Sequence, residues 1–213
     1  MSAPVSGPIA IGALDLAALL CSRVCHDLIS PVGAIVNGLE VLEEDKDEET
    51  KVFALDLSKK SAENASAKLQ FCRIAFGAAG SAGAQIDLGD AEKVARGMLA
   101  DDKTKIVWNL PRELMPKNRV KLLLNMLLIA VGTIPRGGSV TVDPVDENKG
   151  FRISAVGLNA RLAEATVELL AGSPERQVDA HAIQPLYTGI LARDCGLALS
   201  AVVEGEGVVV SAR

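Results

Sequence analysis

Aromatic side chains and basic charge are both scarce in this sequence. Phe, Trp and Tyr make up 3% of its 213 residues, with one Trp and one Tyr, and the formal net charge at pH 7 is -5. Proteins that bind single-stranded nucleic acid stack bases on aromatic side chains, and proteins that bind duplexes need a basic surface to displace counterions. We therefore expect no direct nucleic-acid ligand.

The sequence also lacks the usual marks of secretion or membrane insertion. Residues 1–13 carry no basic residue ahead of their apolar part, which a secretory signal requires. The longest apolar run, residues 120–135, is interrupted by Lys121 and Asn125 and is shorter than the ~20 residues that span a bilayer. We expect a cytoplasmic protein with no membrane partner.

Cysteine and histidine are few, with four cysteines and two histidines in the chain. Cys21, Cys25 and His26 are close enough in sequence to suggest a metal site, but structural zinc sites usually pair two neighbouring cysteines with a second such cluster. The sequence has no second cluster. We therefore expect free thiols and no bound metal, since disulfides are rare in proteins without secretion signals.

Apolar residues are abundant, at 49% of the chain, and their longest periodic stretch predicts a helix over residues 14–44. At about 100° per residue, seven positions of this helix fall close to one line, which predicts its buried face. His26 projects from the opposite side, so its imidazole is predicted to face solvent. The positions of the buried face are Leu20, Val24, Leu28, Pro31, Ile35, Leu39 and Leu42, and those on the side of His26 are Leu19, Ser22, Ser30, Gly33 and Asn37.

Pro31 lies inside this predicted helix, just over one turn after His26. Proline has no backbone N–H, and its ring crowds the carbonyl four residues earlier, which here belongs to Asp27. The sequence therefore predicts a bend in the helix just after His26.

A second helix is predicted over residues 50–78, and the acidic residues 43–49 form the turn between the two helices and the start of the second. Two helices with narrow apolar stripes bury too little surface to be stable alone. We therefore predict a two-fold homodimer in which two hairpins form a four-helix bundle. The seam positions of the second helix are Leu55, Ala62, Leu69 and Phe76 at heptad spacing, with the small residues Ser58, Ala65 and Cys72 between them.

The sequence changes character after residues 77–83, whose Gly, Ala and Ser content is typical of a linker. Helices are predicted at residues 89–99, 116–132, 159–170 and 182–194, and strands at 105–110, 139–143, 151–156, 197–203 and 208–211. This order predicts an α+β fold. It consists of a flexible N-terminus (residues 1–12), a helical hairpin (13–79), a linker (80–85) and an α/β sandwich domain with a mixed sheet (86–213).

Residues 26–31, His-Asp-Leu-Ile-Ser-Pro, resemble the histidine box of sensor histidine kinases, in which a dimeric helical hairpin precedes an ATPase-like α/β domain. Residues 123–130, Leu-Leu-Asn-Met-Leu-Leu-Ile-Ala, are similar to the kinase helix that normally reads Asn-Leu-Leu-x-Asn-Ala. Residues 134–142 then lead through Gly-Gly into a strand, as that helix does in kinases. The resemblance covers nearly the whole chain.

The departures from this resemblance concern the nucleotide site. Ile129 stands where kinases have a second asparagine that helps to hold magnesium, and an apolar side chain cannot ligate a hard cation. Ala155, in the stretch 155–159, stands where kinases have the aspartate that reads the adenine amino group, and residues 183–189 lack the paired glycines of the phosphate-cradling loop. A histidine box without an ATP site resembles the ChpT family of histidine phosphotransferases, which act in alphaproteobacterial cell-cycle phosphorelays.

The resemblance implies a role for each residue around the histidine box. His26 is the phosphorylated nucleophile, which attacks a receiver-domain phosphoaspartate through Nε2. Asp27 orients the imidazole or accepts its proton, with a plain surface acid as the alternative. Arg23 steers the acidic receiver or neutralises phosphoryl oxygens, with a solvated charge as the alternative. Ser30 and Pro31 support the histidine, and the predicted receiver-docking strip consists of Leu19, Ser22, Gly33 and Asn37.

The resemblance also implies the cofactors and partners. The chain itself needs no cofactor and no ATP, because the receiver domain supplies the magnesium. The expected partners are the receiver domain of an upstream hybrid kinase similar to CckA and downstream response regulators similar to CtrA and CpdR. Two other functions remain open at this point: an atypical histidine kinase that uses ATP, and a non-catalytic dimeric scaffold that docks receivers.

Overall fold

The computed structural model describes residues 11–77, 83–146, 149–172, 178–180 and 182–213. It begins with a helical hairpin of two long helices, α1 (Ala13–Glu44) and α2 (Glu48–Ala75). The Asp47 side chain caps α2, because its Oδ2 accepts a hydrogen bond of 2.9 Å from the backbone N–H of Thr50. Pro31 lies inside α1 without ending it. The predicted hairpin is confirmed, whereas most of the predicted flexible N-terminus, half of the predicted linker (residues 80–82) and His181 lie outside the described residues.

Small residues form the seam between α1 and α2. In α1 only Pro31 and Gly38 are buried, and the residues of α2 that are buried near them include Ala54, Ser58 and Ser61. A Cβ atom at Gly38 would overlap the Ser58 hydroxyl and would lie 3.1 Å from the Ala54 carbonyl oxygen. The two helices therefore approach closely because position 38 has no side chain.

Many larger apolar side chains of the hairpin point outward in the single chain. Leu39 is 49% exposed, although the helical projection placed it on the buried face, and Leu55 and Leu69 of the predicted α2 seam are also exposed. The contact between α1 and α2 uses small residues instead, so burial of these three positions depends on the predicted second hairpin. The exposed apolar residues of the hairpin are Leu14, Ile29, Val32, Val36 and Leu39 in α1 and Val52, Phe53, Leu55, Leu57 and Leu69 in α2.

The second part of the chain is an α/β layer built on a five-stranded sheet. Its strands are β2 (Thr104–Trp108), β4 (Gly138–Val145), β5 (Gly150–Val156), β6 (Leu199–Glu204) and β7 (Gly207–Ala212). They are ordered β2-β4-β5-β7-β6, and only the β2–β4 pair is parallel. The helices are α3 (Leu88–Leu99), α4 (Lys117–Gly132), α5 (Glu164–Ala171) and α6 (Ile183–Asp194), and α4 packs on β5 and β7. The predicted mixed sheet is confirmed.

Two features of this layer differ from the sequence prediction. The short strands β1 (Gln85–Asp87) and β3 (Leu114–Pro116) pair with each other, so Gln85 belongs to a strand rather than to the linker. Helix α5 begins at Glu164, five residues later than predicted. Asn159 has a left-handed backbone with φ of 59°, which ends any helix at that point.

A buried polar cluster connects the hairpin to the second part of the chain. Asn125 in α4 is fully buried, and its Nδ2 donates hydrogen bonds to the carbonyl oxygens of Ala75 (3.0 Å) and Lys121 (2.9 Å). Gln184 in α6 donates to the carbonyl oxygen of Asn125 at 2.8 Å. These bonds hold the C-terminal end of α2, the centre of α4 and the start of α6 together.

Helix α1 also contacts the second part of the chain before it reaches His26. Leu16, Leu19 and Leu20 pack against an apolar cluster formed by Leu169, Ile183 and Leu186 of α5 and α6. Among the described residues, α1 is the one helix that is long and apolar enough to cross a membrane by length and composition. In this fold α1 lies against α2 and contacts α6, and 6% of its apolar window is buried.

We predict opposite effects of the same substitution at two glycines of α1. Gly38→Ala is expected to lower the free energy of unfolding by about 1–3 kcal/mol, because the new methyl group overpacks the helix seam. Gly33→Ala is the matched control: a Cβ there has no neighbour within 4 Å, so better helix propensity is expected to raise stability by about 0.5–1 kcal/mol. Urea unfolding followed by circular dichroism measures both. Equal stabilities of the two variants would contradict the close approach at Gly38.

Candidate functional site

His26 stands near the middle of α1, on a side of the helix that faces away from α2. Its side chain is 60% exposed, whereas Pro31, just over one turn later, is buried against α2. The predicted exposure of the imidazole is therefore confirmed by the fold. An exposed imidazole is accessible to a group carried by another protein.

Asp27 connects His26 to Arg23. The Asp27 Oδ1 atom lies 3.4 Å from Nδ1 of His26, and the Arg23 Nε donates to the Asp27 Oδ2 at 3.1 Å. The side chains of Arg23 and Asp27 are only 24% and 14% exposed. Asp27 is thus an enclosed carboxylate with two neighbours rather than a plain surface acid, and Arg23 is its ion-pair partner rather than a solvated charge.

This arrangement favours one tautomer of the His26 imidazole. A proton on Nδ1 is donated toward the Asp27 carboxylate, and the same tautomer leaves Nε2 unprotonated. An unprotonated ring nitrogen is what a nucleophilic histidine needs. The geometry therefore suits attack through Nε2, as the resemblance implies.

A buried thiol lies close to these charged groups. Burial is the main reason why the pKa of Cys72 is raised to about 11, and the Asp27 carboxylate raises it further, while Arg23 and Lys68 act in the opposite direction. The Cys72 thiol therefore stays protonated and uncharged at neutral pH. All four cysteines of the chain are free thiols, as predicted.

The predicted receiver-docking strip divides into two groups in the structure. Ser22, Ser30 and Asn37 are exposed on α1, and Gly33 is half-buried with open space where a side chain would stand. Leu19 is different, because it is half-buried against the apolar cluster of α5 and α6. The docking role of all these positions remains a prediction, but Leu19 already has a partner within the chain.

Lys68 is a site residue that the sequence analysis missed. Its Nζ donates a hydrogen bond of 3.0 Å to the backbone carbonyl of Asp27, although the two residues are 41 positions apart. The available signal was Pro31, which leaves that carbonyl without its normal helical donor. Helical periodicity alone does not show which side chain of α2 reaches it.

The two positions at which this sequence differs from the kinase pattern, Ile129 and Ala155, are buried in the second domain. Ile129 is 5% exposed, and Ala155 is fully buried in β5. A cavity of about 180 Å³ remains beside Ile129, between the end of α4 and the starts of α5 and α6. Pockets that hold drug-sized ligands usually measure about 300–1,000 Å³.

An apolar groove runs between α1 and α2 on another face of the hairpin. Its volume is about 820 Å³, and its lining includes Leu20, Cys21, Val24, Leu69 and Phe76. Over the described ranges of the chain, no group of three or more His, Cys, Asp and Glu side chains is placed to hold a metal ion. Cys21 is exposed toward this groove rather than buried inside the single chain.

Comparisons with known proteins identify the family of this chain. A family model described as the histidine phosphotransferase C-terminal domain matches residues 88–207. The protein phosphotransferase ChpT of Brucella abortus (strain 2308) is 53% identical over 211 residues, which cover 98% of this chain and 100% of the relative. A solved structure of a bacterial phosphotransferase matches with a TM-score of 0.87 and 50% identity, covering 98% of this chain and 100% of that one. The chain therefore belongs to the histidine phosphotransferase family, which confirms the resemblance and the phosphotransfer activity inferred from its sequence.

Proposed function

We propose that this protein relays a phosphoryl group between receiver-domain aspartates through a phosphohistidine at His26, without binding ATP. The observation that carries the proposal is the exposed imidazole whose Nδ1 faces the Asp27 carboxylate. This arrangement occurs in a chain of the histidine phosphotransferase family. Asp27 orients the ring, and Arg23 holds the Asp27 carboxylate in place.

The proposed step is a displacement at phosphorus. Nε2 of His26 attacks the phosphorus of an aspartyl phosphate, so that an N–P bond forms while the P–O bond to the aspartate breaks. The aspartate carboxylate leaves with the electron pair of that bond. The proton on Nδ1 stays in place, and the positive charge that develops on the ring is stabilised by the Asp27 carboxylate. Transfer to the second receiver is the reverse of this step.

Positioning and charge neutralisation supply most of the catalysis in phosphoryl transfer. The family resemblance assigns the magnesium ion of this reaction to the receiver domain. The hairpin would then contribute the imidazole, the carboxylate that orients it and a surface on which the receiver sits. The open space around Gly33 and the small side chains of Ser22 and Ser30 support such a surface.

The proposal names the partners by class. The donor would be the receiver domain of a hybrid histidine kinase of the CckA type, and the acceptors would be response regulators of the CtrA and CpdR types. We place this chain in the cytoplasm. The name of the Brucella relative, protein phosphotransferase, is consistent with this placement in a relay.

The absence of ATP binding is part of the proposal. Ile129 replaces a magnesium ligand of the kinase pattern, and Ala155 replaces its adenine-reading acid. The cavity beside Ile129, of about 180 Å³, is small for a nucleotide. The backbone N–H of Arg161 donates to the Thr133 carbonyl oxygen at 2.9 Å, which holds the segment before α5 against the end of α4. Each of these features supports a phosphotransferase over an ATP-using kinase.

A homodimer is also part of the proposal. The apolar groove between α1 and α2 and the outward-facing side chains of Val32, Leu39 and Leu55 leave a large apolar surface on the single chain. Apolar surfaces of this kind usually mark interaction sites. A second hairpin, packed by a two-fold axis, would cover it and complete a four-helix bundle. His26 projects about 100° around the helix from Cys25, whose side chain lines the groove, so each copy would keep its histidine accessible.

We predict that the protein takes a phosphoryl group only on His26. A receiver domain that carries a radiolabelled aspartyl phosphate is mixed with the protein, and the label on the chain is followed on a gel. Wild-type protein should acquire acid-labile label, and His26→Ala should acquire none. His181→Ala is the matched control, because it removes the other histidine of the chain, and it should be labelled like wild type. Label on His26→Ala would contradict the proposed site, and a receiver that binds without transfer would favour the scaffold.

We predict that ATP with magnesium gives no saturable heat of binding at millimolar concentration. Isothermal titration calorimetry measures this, and a titration with the receiver domain in the same buffer shows that the protein sample can bind a ligand. Tight, saturable binding of ATP would contradict the relay and favour an atypical kinase.

We predict that Leu69→Asp dissociates the dimer. Leu69 is 52% exposed in the single chain and lines the groove. Burying an unpartnered polar group costs roughly 2–7 kcal/mol, so self-association should weaken at least about 30-fold. Val203→Asp is the matched control, because Val203 is a similarly exposed apolar residue, 62% exposed, on strand β6. Analytical ultracentrifugation should show monomers for Leu69→Asp and dimers for Val203→Asp. If both variants remain dimers, the groove is not the interface.

A further inference from the structure

A helix interior normally satisfies each carbonyl with the N–H group four residues later. Asp27 is an exception in α1, because the residue four positions later is Pro31, which has no N–H. The Asp27 carbonyl therefore needs another donor wherever water does not reach it freely. Lys68 of α2 supplies this donor, with its Nζ 3.0 Å from the carbonyl oxygen.

We propose that Lys68 is a positioning residue for the phosphotransfer step, which replaces the donor missing at Pro31 and thereby fixes the turn of α1 that carries His26 and Asp27. The inference rests on the proposed function, since it assumes that His26 is the phosphorylated residue. It goes beyond that function because it assigns a role in the reaction to the second helix of the hairpin.

The first support is that Asp27 is held at both of its acceptor groups. Arg23 donates to the side-chain Oδ2 at 3.1 Å, and Lys68 donates to the main-chain carbonyl. The remaining oxygen of Asp27, Oδ1, faces Nδ1 of His26. With its backbone and one oxygen fixed, the carboxylate has little freedom left, and the imidazole that it orients is fixed in turn.

The second support is the chemistry of the donor. A lysine ammonium makes a charge-assisted hydrogen bond, which is stronger than one from a neutral donor. Its four-carbon stem is long enough to reach from one helix to the backbone of the other. Charged groups near Cys72 include Lys68, Arg23 and Asp27, all of which influence the thiol, so the three share one small region between the helices.

The third support is the contrast with other lysines of α2. Lys59 and Lys60 are exposed, and Lys60 pairs with Asp56 on the same helix, one turn away. Such a pair acts only on the local helix surface. Lys68 is half-buried and is held against the opposite helix at the one carbonyl that the proline leaves open.

The test measures the rate of label transfer from a receiver domain, phosphorylated with radiolabelled acetyl phosphate, as a function of receiver concentration. Lys68→Met is expected to lower the rate at saturating receiver about 10-fold, the loss that corresponds to one charge-assisted hydrogen bond. The receiver concentration at half-saturation should stay unchanged. Lys68→Arg should recover most of the rate, because it restores a cationic donor, and Lys59→Met is the control that should transfer like wild type.

A second pair of variants tests the link to the proline. Pro31→Ala restores a backbone N–H at position 31, so the Asp27 carbonyl no longer depends on Lys68. Adding Lys68→Met to Pro31→Ala should therefore lower the rate much less than adding it to the wild-type sequence. A loss of the same size in both backgrounds would overturn the proposal.

The other outcomes are equally decisive. A wild-type rate for Lys68→Met, or a Lys68→Arg variant as slow as Lys68→Met, would overturn the inference and leave the proposed function intact. Loss of receiver affinity together with the rate would show that Lys68 only holds the hairpin together, which also overturns it. If the wild-type protein takes no label at all, both the proposed function and the positioning role fail.

Discussion

The close approach of α1 and α2 is the constraint on which the rest of this structure depends. The helices meet where Gly38 faces Ala54 and Ser58. Their contact is therefore formed by small residues and buries little of the apolar surface. The larger apolar side chains are consequently left on the outside of the hairpin. One face of the hairpin is therefore apolar, while the face of α1 that carries His26 stays open. The packing of the two helices thus separates an apolar face of the hairpin from the face that carries His26.

Pro31 imposes a second, more local constraint within that seam. It is buried against α2, so the carbonyl that it leaves without a donor lies within reach of that helix. The ladder of hydrogen bonds along α1 is interrupted just after His26. Lys68 closes this interruption from the neighbouring helix. The site is therefore a property of the hairpin and not of α1 alone.

The sequence predicted the parts of the structure that depend on local pattern. The two long helices, the mixed sheet and the solvent-facing His26 follow from periodicity and composition, and the family follows from the histidine box. The features that the sequence did not predict depend on tertiary packing. The outward position of Leu39 depends on which helix line has the smallest residues, and the contact of Lys68 with Asp27 depends on the register of the hairpin. Leu19 was predicted for receiver docking, but its contacts with α5 and α6 could be known only once those helices were placed.

Helix α4 carries two positions of the kinase pattern that differ in their surroundings. The asparagine that would serve a nucleotide is replaced by Ile129, while Asn125, one turn earlier, is buried and bonded to the end of α2 and to α6. The first position concerns ligand binding, and the second concerns the attachment of the domain to the hairpin. Leu16, Leu19 and Leu20 add a second attachment on the N-terminal side of His26. Phosphoryl transfer depends on positioning, and a domain attached to both helices of the hairpin restrains the helix that carries His26.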